Sequence, residues 1–83
     1  VDWFHFSVPR GRNPQMIIET HSDIDPMLRL YSADGAEIAS DDDSGNDYNA
    51  RISQQLSGGN VYYIEVSEID AAVGSYRLEI REY

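Results

Sequence analysis

The chain alternates apolar and polar residues with a period of two almost from end to end, and that period suits a strand with one buried face rather than a helix. Phe4, Phe6 and Val8 alternate with Trp3, His5 and Ser7 before the Pro9-Arg10-Gly11 break. Gln15 to Thr20 repeats the pattern with Met16 and Ile18 inward, and Met27 to Ser32 repeats it with Leu28 and Leu30 inward, beside Arg29 and Tyr31. Asp34-Gly35 reads as a two-residue type I′ hairpin turn leading into a short strand around Glu37 to Ser40. Ala50 to Leu56 alternates again, Ser57-Gly58-Gly59-Asn60 is a turn, and Val61 to Ser67 faces Tyr62, Ile64 and Val66 inward. The last strand runs from about Ser75 to Arg81 with Tyr76, Leu78 and Ile80 on one side. Seven to eight short strands, turn signals between them and no helical window predict an all-β antiparallel sandwich of Greek-key or jelly-roll type.

Length and charge then narrow what such a sandwich can do. Eighty-three residues allow one small domain over residues 1–83, with no linker or internal repeat to divide it. Six arginines, no lysine and fifteen carboxylates give a formal charge of −9, which repels nucleic acid and anionic membrane surfaces. No apolar run approaches the roughly 18 to 20 residues that would cross a bilayer, so membrane insertion is not expected. Without cysteine there are no disulfides, thiolate metal sites or thiol nucleophiles. The chain opens inside a strand-like stretch with neither the basic nor the apolar region of a signal peptide, which reads as an excised module.

Two constellations stand out. The first is acidic: with a hairpin centred on Asp34-Gly35, paired positions sum to 69, which brings Asp23 and Asp25 near Asp41, Asp42, Asp43 and Asp47, with Asn46 and Asn49 close by. Such a crowd needs compensation, and calcium, which takes six to eight oxygen ligands, is the cation that would supply it. The alternative is that these residues bond nearby backbone N–H groups and keep the domain soluble. The spacing from Asp41 to Asp47 is not that of an EF-hand. The second is aromatic: Phe4, Phe6, Tyr62 and Tyr76 are inward and read as core, whereas Trp3, Tyr31 and Tyr63 share the outward parity. Outward rings either pair across strands or stack on a ligand such as a sugar or a proline-rich chain. No nucleophile elbow or histidine metal motif is present, and His5 and His21 read as surface or boundary residues, so no catalytic residue is assigned and an enzyme is not expected.

Six segments in order also resemble one known family: Asp2 to Val8, Asp23 to Tyr31, Ala33-Asp34-Gly35, Ile38 to Asp43, Tyr62 to Val66 and Gly74 to Leu78. Together they are similar to the bacterial pre-peptidase C-terminal domain, whose relatives include the collagen-binding domains of clostridial collagenases. The resemblance implies a secreted, non-catalytic β-sandwich attached to the catalytic domain of a peptidase or other hydrolase. Such a domain assists export and maturation, or targets an insoluble protein or polysaccharide. It also implies that Asp2 matches an aspartate which, in the collagen-binding relatives, helps to hold calcium together with an upstream acidic segment. That segment and the family's preceding strand are not in this sequence, so this calcium site is expected to be partial. Asn60 replaces a glycine common before the tyrosine-rich strand, and Ser67 and Glu68 stand where the collagen-binding relatives carry aromatic and lysine residues, which argues against collagen.

Overall fold

Each alternating stretch becomes a strand because the pleat sends successive side chains to opposite faces, and a sandwich offers an apolar layer to one face only. A computed structural model of the chain describes residues 2–22, 26–41, 50–68 and 76–83. It contains β1 (Asp2–Val8), β2 (Gln15–Ser22), β3 (Pro26–Tyr31), β4 (Glu37–Asp41), β5 (Arg51–Gln55), β6 (Asn60–Glu68) and β7 (Tyr76–Glu82), with no helix among the described residues. Two antiparallel sheets form, one in the order β1-β6-β3-β4 and one in the order β5-β2-β7. The fold is the predicted β-sandwich. No helix of the described chain is long and apolar enough to cross a membrane.

The core lies between the sheets. Ile18, Leu28, Leu30, Ala50 and Ile64 are fully buried, with Val8, Ile52, Leu56, Tyr62 and Val66 nearly so. Burying each large aliphatic side chain contributes roughly 1.5–3 kcal/mol relative to leaving it in water. Tyr62 lies against Phe6 with ring centroids 5.8 Å apart, and its hydroxyl both donates to the Ser57 carbonyl and accepts from the Ser57 N–H, each at 3.0 Å. The core thereby holds the turn between β5 and β6.

Several details depart from the alternation. Phe4, expected inward, is 38% exposed because β1 is an edge strand among the described residues, which give it no neighbour on the far side. Ile17, on the outward face of the central strand β2, is only 1% exposed. Its neighbours across the ladder are Ser53 and Arg81, in a layer tied together by the Gln15–Ser53 hydrogen bond at 2.9 Å and the Arg81–Glu19 contact at 3.0 Å. His21, expected at the start of a loop, is still within β2 and faces Arg77.

The β3–β4 turn also differs from the expected type I′ pair. Ser32 N–H bonds to Ala36 O at 2.9 Å and Gly35 N–H to Ser32 O at 3.0 Å, so the loop is Ala33-Asp34-Gly35, three residues long. Gly35 takes a left-handed φ of +89°, the usual closing position of such a loop. This turn pairs Tyr31 with Glu37, a sum of 68; a bulge at Ile38 then restores 69 at Leu30↔Ala39, Arg29↔Ser40 and Leu28↔Asp41. The expected register is therefore present beyond the bulge, through two compensating one-residue offsets.

Candidate aromatic face

The outward residues of β1, β6 and β3 lie in adjoining rows: Trp3, Glu65 and Arg29 in one, and His5, Tyr63 and Tyr31 in the next. Trp3 and Tyr31 sit two strands apart, yet their rings reach across β6 to a centroid distance of 5.5 Å with planes tilted by 41°. Glu65 lies between them. It accepts a hydrogen bond from the Tyr31 hydroxyl at 3.4 Å and pairs with the Arg29 guanidinium at 3.6 Å, and Arg29 also approaches Glu37 at 3.8 Å. Tyr63 packs beside His5 at 6.2 Å.

Trp3, Tyr31 and Tyr63, the three residues singled out for the outward parity, thus converge with Ser32, Ala33, Gly35 and Glu65 around an open groove of about 380 Å³. Trp3 is 56% and Tyr63 39% exposed, values that leave ring surface available to a ligand. The Arg29–Glu65 pair offsets its own charges, so despite the chain's −9 this groove presents ring faces and hydroxyls. That chemistry suits stacking on a flat, weakly charged ligand with polar edges.

The acidic constellation divides differently. Asp23, Asp25, Asp42, Asp43 and Asp47, with Asn46 and Asn49, lie outside the described residues. Asp41 accepts a hydrogen bond from Arg51 N–H at 2.8 Å, and Asp2 accepts one from the Tyr76 hydroxyl at 2.6 Å. Asp2, Val66, Leu28 and Asp41 form one row across the four-stranded sheet. Three strand spacings of about 4.8 Å put Asp2 and Asp41 about 14 Å apart. Two ligands of one calcium ion, each about 2.4 Å from it, lie within about 5 Å of one another, so these two aspartates serve no common ion.

The opposite sheet carries a group that no spacing in the sequence marks: Glu19, His21 and Glu79, whose ligand atoms lie within 4.8 Å of one another. His21 Nε2 is 2.9 Å from Glu79 and 3.8 Å from Glu19. The Arg81 guanidinium approaches both carboxylates, at 3.0 and 3.3 Å, and Arg51 lies 3.9 Å from Glu19. The His21 hydrogen bond, helped by Arg81, holds the Glu79 carboxyl below its ordinary range, and the bond to Glu19 raises Arg81. An arginine already occupies the space between the acids, so the arrangement works as a charge ladder over the sheet. His5, the other histidine, sits on the other sheet against Tyr63. Only the outward parity of residues 19, 21 and 79 hinted at this group, and it becomes visible once the β2–β7 register is known.

Comparison with known proteins gives one family: the model described as the bacterial pre-peptidase C-terminal domain matches residues 1–68. No curated protein and no solved structure matches the chain.

Proposed function

The chain belongs to the bacterial pre-peptidase C-terminal domain family, typically a C-terminal domain of bacterial peptidases, and on that premise we propose that it is a non-catalytic accessory domain of a secreted bacterial peptidase or related hydrolase. It works outside the cell, where its aromatic face holds the parent catalytic domain near an insoluble protein or polysaccharide. The observation that carries the reading is the convergence of Trp3, Tyr31 and Tyr63 over β6, with half of Trp3 exposed and the Glu65 charge offset by Arg29. Aromatic residues of this kind anchor binding sites because they offer large amphipathic area at low entropic cost.

The test compares the parent enzyme with variants carrying Trp3→Ala or Tyr63→Ala. Retention on insoluble protein fibre, chitin or cellulose should weaken by about tenfold or more for one of these solids, as an anchor worth roughly 1.4–2 kcal/mol requires. Turnover of a small soluble substrate should stay unchanged. Retention and insoluble-substrate turnover unaffected by both substitutions would remove the targeting role and leave export or maturation.

A further inference from the structure

We propose that the groove takes an uncharged polysaccharide, whose pyranose rings stack on Trp3 and Tyr63 while a sugar hydroxyl donates to the Glu65 carboxylate. This rests on the targeting role proposed for the aromatic face and names the ligand class for it.

The groove lies over β6 and β3, the two inner strands of the four-stranded sheet, and is walled largely by side chains of the sheet face. An extended peptide gains its affinity at a strand edge, where main-chain N–H and C=O groups can pair with it. Those of β6 and β3 are engaged in ladders on both sides. What remains for a ligand is ring surface and a few polar side-chain atoms, in a volume of about 380 Å³ that falls within the range of small-molecule sites.

These polar atoms select further, because most of them accept. The Tyr31 hydroxyl and the Arg29 guanidinium both meet Oε1 of Glu65, at 3.4 and 3.6 Å. Neither contact uses Oε2. A carboxylate can only accept, at about four lone-pair sites, so Glu65 retains capacity that a ligand donor would fill. Tyr31 has given its proton to Glu65, and Ser32 Oγ gives its proton to Asp34, so both hydroxyls turn lone pairs toward a ligand. The groove therefore favours a ligand rich in donors. A proline-rich chain is the reverse, with carbonyl acceptors and few N–H groups. A sugar ring carries hydroxyl donors around its edge and C–H groups on its face, which match the acceptors and the aromatic rings together.

Charge and ring geometry narrow the sugar. Arg29 offsets Glu65, but the chain as a whole carries −9, and Asp34 stands between the lining residues Ala33 and Gly35. A polysaccharide with an acid group on every ring is repelled. The Trp3 and Tyr31 rings are tilted by 41°, a bent platform that fits a single chain better than the flat face of a crystal.

Titration of the full chain with cellohexaose and with chitohexaose tests this, read by the fluorescence of Trp3, the one tryptophan of the sequence. At least one of the two should shift the emission and saturate below about 1 mM. An oligogalacturonate of the same length and a proline-rich peptide should not. Glu65→Gln keeps the size of the side chain, and Arg29 retains Glu37 at 3.8 Å. This variant should bind the sugar at least about tenfold more weakly, since a hydrogen bond to a charged acceptor is roughly twice as strong as a neutral one. Its circular dichroism spectrum should stay that of the parent. No response to either neutral hexasaccharide, an equal response to oligogalacturonate or to the proline-rich peptide, or parental affinity in Glu65→Gln would each overturn the proposal. Retention on protein fibre that still depends on Trp3 and Tyr63 would then show that the targeting role stands with a different ligand, whereas retention that depends on neither residue would overturn both.

Discussion

Thr20→Val changes one buried atom group and tests how β5, the strand after the acidic segment, is anchored. Thr20 is completely buried in β2, facing the core, and Ala50, the residue before β5, is equally buried. The regular β2–β5 ladder ends at Glu19↔Arg51. Beyond it the Thr20 hydroxyl accepts the Ala50 N–H at 2.9 Å, while Thr20 N–H donates to Ala50 O at 3.0 Å. Valine keeps the shape and leaves the Ala50 N–H buried without a partner, a loss of about 1–3 kcal/mol. With an unfolding entropy of about 2.1 cal/mol/K per residue, 83 residues give about 0.17 kcal/mol/K, so the melting temperature should fall by about 6–17 °C. Thr20→Ser is the control: it keeps the hydroxyl and removes one buried methyl, a loss of about 1 kcal/mol or about 6 °C. Thermal unfolding followed by circular dichroism measures both. A valine variant melting within about 2 °C of the parent, or well above the serine variant, would refute the view that the hydroxyl anchors β5.

Gly58→Ala should destabilise by about 2 kcal/mol or more, because a methyl group there would overlap the main-chain oxygens of Pro9 and Arg12, and backbone cannot swing aside as a side-chain end can; urea unfolding measures the loss, and an unchanged midpoint would refute the close approach. Stability should also fall in acid partly through Glu79. Its folded carboxyl is held below the ordinary value of 4.5 by the His21 hydrogen bond, so its contribution is fully present above about pH 4.5 and lost as pH drops through the lower folded value. Stability of Glu79→Gln measured from pH 7 to 2.5 should depend less steeply on pH below 4.5 than that of the parent, and parallel curves would refute the assignment.

Period-two patterning determined which residues turn inward and which outward, because the pleat is local geometry that each strand carries with it. Leu28, Leu30, Tyr62, Ile64 and Val66 are inside, and Trp3, Tyr31 and Tyr63 share the outer side, as parity alone requires. Parity says nothing about which strand lies next to which. The order β1-β6-β3, settled by how the two apolar faces close on each other, is what brings Trp3 within ring contact of Tyr31 and separates Asp2 from Asp41 by the width of the sheet. The same non-local choice leaves β1 at an edge among the described strands and exposes Phe4, buries Ile17 under charged neighbours, and assembles Glu19, His21 and Glu79 from strands more than fifty residues apart. The β3–β4 turn lies between these cases: Asp34-Gly35 marked the reversal, but loop length and the bulge at Ile38 depend on how Tyr31 and Leu30 seat against β6, which only the packed sheet decides.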